Sequence, residues 1–207
     1  MPYDNRSRAE AARVTRSAVL AAAHTSFLTV GYAGTTIRGV AEAAGVSQET
    51  VYKRFGGKAR LLKDVYDVAM AGDEDPVPIA ARPQALAVRA ATTPAEAARA
   101  YAALARWLTV RAGDLMRVVS SSRGADPDLE AFMRTVDAER LTGTTAVVTA
   151  WAERGWLRPE LDRDRARDLV WTLNSPAVWV LLTERGWSAD DYEQWMSDTL
   201  RATVLVA

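Results

Sequence analysis

The chain has 207 residues, enough for one large domain or two small ones with a real core. Its composition, 49% hydrophobic and 25% charged, is that of an ordinary globular protein, and no apolar run reaches the roughly 18 residues of a membrane span. The absence of cysteine excludes disulfides and thiolate metal sites.

The net charge of zero hides an asymmetry. Residues 1–70 carry ten basic and six acidic groups, and the remainder sixteen and twenty, so the two parts hold +4 and −4. All three lysines fall between 53 and 63. Such a division suits a modest basic face on an acidic body, although a solvated helical surface gives the same imbalance. The start, "MPYDNRSRAE", has no secretory apolar region, so a cytoplasmic location is expected.

In chain order, helix is the only periodicity that persists, and no alternating β-branched run argues for a sheet. Val19, Ala23, Phe27 and Val30 recur at helical spacing, and Gly31 ends that run. Thr36 is placed to cap a short helix from Ile37, and Gly45 to end it. Ser47 then caps a second short helix, Gln48 to about Arg54. Ile37, Val40, Ala41 and Ala44 give the first an apolar face, and Val51 and Phe55 give one to the second. Helices this short are marginal alone and need a platform, which the helix before Gly31 supplies. The pattern is a helix-turn-helix with residues 48–54 as the recognition helix.

Phe27, Gly31-Tyr32, Thr35-Thr36, Val40-Ala41, Ala44-Gly45-Val46-Ser47, Tyr52, Phe55, Lys58 and Leu61-Leu62 stand in a specific order and spacing. In these residues the chain resembles the TetR family of bacterial transcriptional regulators over about residues 10–65. The resemblance implies an all-α homodimer that binds a palindromic double-stranded DNA operator and releases it when a small ligand enters the C-terminal domain. It implies that Thr36 and Arg38 contact phosphate beside Ser47. Gln48, Thr50, Lys53 and Arg54 would face the major groove and its rim, where Gln suits adenine and Lys or Arg suits guanine. Tyr52 and Lys58 would reach phosphate; the competing reading of Tyr52 is a core aromatic, and Phe55 is read as core.

Two positions depart from the family pattern. Gly57 stands where Ser or Asn normally caps the next helix. Glu49 suits the helix dipole but repels phosphate, unless it accepts a hydrogen bond from cytosine. Arg6, Arg8 and Arg13 would form either an arm toward DNA or a solvated terminus.

Domains are expected at 1–57 (DNA-binding), 58–82 (a connecting helix and linker, with "AGDEDPVPIAARP" at 71–83) and 83–207 (helical, ligand-binding and dimerising). Long helices are expected over 92–122, 126–155 and 162–186, the last kinked at Pro176, and a final one over 188–207. All seven tryptophans lie at or beyond 107. "ERGW" occurs twice as a helix stop, so Trp156 and Trp187 read as cap contacts. Tyr101, Trp107, Met116, Trp151, Trp171 and Asn174 are the candidates for an effector site; the alternatives are core packing for the rings and backbone satisfaction for Asn174. Trp179, Leu182, Trp195, Met196 and Leu200 are assigned to a dimer seam. With no cluster of one charge sign, the expected effector is small, flat, hydrophobic or aromatic, and neutral or weakly polar.

An enzyme finds little support. His24, the only histidine, reads as a packing residue, and no Gly-rich phosphate loop appears. Asp126/Asp128 and Asp162/Asp164 read as helix caps rather than metal pairs. No cofactor, metal or membrane partner is called for. The rival readings are a helical ligand-binding or adaptor protein acting through protein partners, and an activator using the same DNA-binding head.

Overall fold

A computed structural model of the chain describes residues 3–121 and 127–206, with side chains over 7–120 and 127–206. Asp126 and the side chain of Arg6 lie outside the described residues. The described elements are α1 (Tyr3–Gly34), α2 (Ile37–Ala44), α3 (Gln48–Phe55), α4 (Lys58–Ala71), α5 (Pro83–Ala90), α6 (Pro94–Ser121), α7 (Pro127–Glu153), α8 (Arg163–Leu173), α9 (Pro176–Glu184) and α10 (Ala189–Thr203). The fold is all-α. Two compact units divide it: Met1–Glu74 with Asp114–Phe132, and Asp75–Gly113 with Met133–Ala207.

In the first unit α1 is the platform. Val19, Leu20, Ala23 and Phe27 are buried along it. Val30, expected as the next core position, is 54% exposed. Just after it Gly31, with φ of 72° and ψ of 178°, breaks the helix. The break sends Tyr32 inward, where its ring stacks on Phe27 at 6.0 Å. Thr35 Oγ1 donates to the Gly31 carbonyl at 2.8 Å and lies 3.0 Å from Ser26 Oγ, so the turn is fixed on both sides. α2 packs on α1, and α3 on α2 and α4. Ile37, Val40 and Ala41 of α2, Val51 and Phe55 of α3, and Leu61, Leu62, Val65 and Tyr66 of α4 close the core. Each large side chain buried here stabilises by about 1.5–3 kcal/mol, against roughly 1 kcal/mol for a cap. Packing therefore holds the short helices and capping sets their ends.

In the second unit several expectations change. Residues 83–90, unassigned in the sequence, form α5, which starts at Pro83 in its first turn. The segment before it is anchored: Arg82 is buried and donates to the carbonyls of Val77 and Asp75. The helix expected over 162–186 is two. Pro176 produces a complete break, with Asn174 closing α8 and Ser175 capping α9 through the Ala177 amide. The Thr172 carbonyl that the proline would have left open accepts from the Ser175 amide at 3.1 Å.

Both "ERGW" copies are Schellman stops. Gly155 and Gly186 take φ of 68° and 86°. The Trp156 amide donates to Trp151 O and the Trp187 amide to Leu182 O. Asp162 caps α8, and Ser188 with Asp191 forms a reciprocal capping box on α10. The chain end is tied back by one β-bridge, with Arg158 N donating to Val204 O and Val206 N to Trp156 O.

The tightest place in this unit is Gly113 on α6. A Cβ built there would lie 2.8 Å from Trp179 Cδ1 and 3.3 Å from Cε2. Trp179 is itself wedged edge-on against Tyr192, with ring centroids 5.1 Å apart. Gly113→Ala should therefore lower stability by about 1–3 kcal/mol through overpacking, even though alanine is the better helix former. Urea unfolding would read this as a lower midpoint; an unchanged or higher midpoint would show that the ring moves aside freely.

Candidate nucleic-acid interface

The residues assigned to DNA share the outer surface of α2, α3 and the start of α4. Thr36 caps α2 by accepting from the Gly39 amide at 3.0 Å, and Ser47 caps α3 by accepting from the Thr50 amide at 3.1 Å. Ser47 Oγ also lies 2.9 Å from Thr50 Oγ1. Because Val51 and Phe55 turn inward, Gln48, Glu49, Tyr52, Lys53 and Arg54 face out, with Thr50 half-buried between them. Among the described residues Gln48, Lys53 and Arg54 make no hydrogen bond or ion pair, so their donors are turned to solvent.

Tyr52 is 53% exposed, which rules out the core reading, while Phe55 is buried as expected. Arg38 is exposed and held by Glu42 at 2.9 Å. That hydrogen bond and the Glu42 charge raise the guanidinium pKa further above its ordinary range.

Lys58 has a contact within the chain. Its Nζ donates to the Tyr32 carbonyl at 3.0 Å and sits 4.1 Å from the centre of the Tyr32 ring. The ammonium thus fastens α4 to the turn after Gly31, and a phosphate would have to compete with that carbonyl. Gly57 makes no side-chain cap, as its lack of a side chain requires. Of the basic N-terminal residues, Arg13 is paired with Glu10 at 2.7 Å.

Residues 19–65 match the family model described as bacterial regulatory proteins, tetR family. In that segment the chain is similar to the DNA-binding region of TetR-family regulators. It is 29% identical over 158 residues to an uncharacterized HTH-type transcriptional regulator, YdeS, of Bacillus subtilis (strain 168), covering 76% of this chain and 74% of that one. A TetR transcriptional regulator from Chloroflexus aurantiacus J-10-FL has a similar fold, with a TM-score of 0.67, 22% identity, and 96% and 100% of the two chains covered. The fatty acid degradation regulator FadR from Bacillus halodurans superposes with a TM-score of 0.69 at 18% identity, over 89% and 96% of the two chains. Among the described residues no helix is long and apolar enough to cross a membrane.

The effector candidates fall in both units. Met116 is buried in the first unit. Tyr101, Trp107, Trp151, Trp171 and Asn174 all belong to the second. Tyr101 and Trp151 meet edge to face at 5.6 Å, and Trp107 is half-buried beneath the Arg111 guanidinium.

Asn174 is the centre of a polar cluster. Its Nδ2 donates to Tyr101 Oη and, at 3.3 Å, to Thr144 Oγ1. Its Oδ1 accepts from Arg140 Nη2 at 2.8 Å, a nitrogen that also donates to Trp171 O at 2.6 Å. Arg140 Nη1 meets Asp137 at 2.8 Å. Burial pushes the Tyr101 phenol up, against hydrogen bonds from Thr144 and Asn174 and the Arg140 charge.

Arg140 and Thr144 escaped the sequence reading, and the signal was their spacing. Val136, Arg140, Thr144, Val148 and Trp151 recur at four, four, four and three on α7, which places a charged residue within a buried stripe.

The assigned dimer seam also changes. Trp179, Met196 and Leu200 are buried in their own unit, while Leu182 and Trp195 are half-buried. Packing of α9 and α10 places the first three in the core cluster of their own unit. Leu181 of α9, 64% exposed, and Leu169 of α8, 39% exposed, are large apolar side chains that face out.

The Lys58 geometry sets a test. Lys58→Ala removes a bond to a carbonyl and a cation–π contact, so it should lower the stability of this unit by about 1–2 kcal/mol. Tyr52→Phe, at an exposed position, should leave the unfolding midpoint unchanged. Equal midpoints for Lys58→Ala and the wild type would show that the Tyr32 contact contributes nothing.

Proposed function

We propose that the regulator is a homodimeric repressor that binds a palindromic operator in the cytoplasm and releases it when a small hydrophobic or aromatic effector enters its second unit. The observation that carries this reading is α3, a capped helix whose Gln48, Lys53 and Arg54 point outward with no side-chain partner among the described residues. In this proposal Gln48, Glu49, Thr50, Lys53 and Arg54 read bases and the groove rim. Thr36, Arg38, Ser47, Tyr52 and the N-terminus of α4 at Lys58 hold phosphate, which fixes the register in which α3 enters the groove.

Selection from random duplex DNA followed by footprinting should return two half-sites related by a two-fold axis. Lys53→Ala and Arg54→Ala should each weaken binding and flatten the salt dependence by about one unit of log–log slope. Slopes equal to wild type for both would remove these side chains from the interface.

One head reads one half-site, so tight binding calls for two heads. The dimer is assigned to α8, α9 and α10, with Leu181 near its centre and Leu182 and Trp195 beside it, burying roughly 1,200–2,000 Å². Leu181→Arg should give folded monomers in sedimentation, because the exposed side chain contributes little to the monomer core. Trp179→Arg should instead disrupt folding. An unaltered dimer for Leu181→Arg would move the interface elsewhere.

The effector is assigned to Tyr101, Trp107, Trp151, Trp171 and Asn174. Binding releases DNA only if the effector favours a conformation whose heads no longer fit adjacent half-sites. The measurement is release of labelled operator on adding effector, with loss of the response in Trp151→Ala and retention of DNA binding.

A further inference from the structure

Arg16 continues the buried stripe of α1. It stands three and four residues before Val19 and Leu20, so its side chain leaves the helix on the face that carries the core. Its guanidinium reaches three other segments of the first unit. Nη2 lies 3.9 Å from Asp64 Oδ1 on α4, and Nε lies 3.8 Å from Glu74 Oε2, in the segment after α4 has ended at Ala71. The central carbon sits 5.9 Å from the ring centre of Phe55, the last residue of α3. The side chains of Arg16, Asp64 and Glu74 are 27%, 22% and 28% exposed, so water screens these charges only in part.

This arginine differs from the basic groups assigned to DNA. Asp64 is shared with Arg60 at 3.8 Å, so Arg16, Arg60, Asp64 and Glu74 sum to zero charge and offer a phosphate no net attraction. Nη1 is buried without a hydrogen bond, so the guanidinium is turned into the unit. Both carboxylates lie beyond hydrogen-bond distance, so the attraction is that of a point charge and not of a bidentate fork.

We propose that Arg16 is a positioning residue of the recognition helix: it holds the C-terminal end of α3, through Phe55, in register with α4 and with the segment that leaves α4, and it does not touch DNA. This rests on the DNA-binding reading above and adds a residue behind the reading surface. Phe55 is one of the two buried anchors of α3, and Lys53 and Arg54 are the residues just before it. Their direction is therefore set by the end of the helix that Arg16 covers. Glu74 acts through Arg16, by holding the guanidinium over that ring.

The selected operator and a random duplex of equal length would be titrated with the full chain and its variants. Arg16→Met should lower operator affinity about three- to tenfold, the scale of one cation–π contact with partly screened ion pairs. Random-duplex affinity should stay unchanged, because it depends on phosphate charge and not on register. Arg16→Lys should recover most of the loss, since a point charge suffices. Glu74→Gln should also weaken operator binding, although it removes a negative charge from a DNA-binding unit. The double variant should bind like Arg16→Met alone, because the two residues act as one contact.

A merely structural arginine would lower the unfolding midpoint and leave the ratio of operator to random affinity unmoved. An arginine on phosphate would weaken both duplexes alike and flatten the salt dependence by about one unit of log–log slope. Either result overturns the assignment. So does tighter operator binding by Glu74→Gln, an additive loss in the double variant, or an Arg16→Lys as weak as Arg16→Met. If the wild type selects no sequence at all, the DNA-binding reading falls and takes this inference with it. If the wild type selects an operator and Arg16→Met keeps its full specificity, this inference alone falls.

Discussion

An eight-residue helix is nearly all ends. About four amides and four carbonyls at its termini have no partner within it, so α2 and α3 cannot hold their shape by their own ladder. Everything that presents α3 follows from that constraint. The side chains that bind it inward, Val51 and Phe55, are two of only eight, and five of the others are left to face out. α1 must be long enough to serve as a floor and must stop where α2 has to turn. The stop is Gly31, with Thr35 bonding back across it, and Lys58 then joins the same turn to α4. The reading surface is thus stiff because its supports converge on one turn behind it, while its own hydrogen bonds add little.

What could be read from the sequence was what local chemistry decides. Thr36, Gly45, Ser47, Asp162, Ser188 and the two "ERGW" stops were legible because a cap or a left-handed glycine acts within a few residues of itself. α5 was missed because Pro83 sits beside a run of acids and prolines, and the cue for a breaker is also the cue for a first turn. Pro176 was read as a kink because the apolar pattern runs through it; the structure ends one helix and begins another there.

Side-chain destinations were harder. Trp179, Met196 and Leu200 share their spacing with residues at a seam, and spacing cannot say whether the far side of a helix meets its own chain or another. Lys58 matched its family position, yet its Nζ bonds to Tyr32, a contact 26 residues away that no local pattern contains. Arg140 was invisible for a related reason. An arginine among apolar residues reads as a surface group until the fold brings Asp137, Asn174 and the Trp171 carbonyl around it. Buried polar clusters of this kind contribute little net stability, because hydrogen bonds there replace those made to water. Their presence in a helical core is better explained by what they bind or how they fix one packing.

The contact of Gly113 with Trp179 has an evolutionary side. The two positions lie 66 residues apart, but the indole occupies the volume that a side chain at 113 would need. Neither position can drift alone: a methyl group on α6 demands a smaller ring on α9, and the present ring demands a bare backbone. Across relatives the pair should change together, and an alignment deep enough to show covariation would reveal it as one inherited unit split between two distant stretches of the gene.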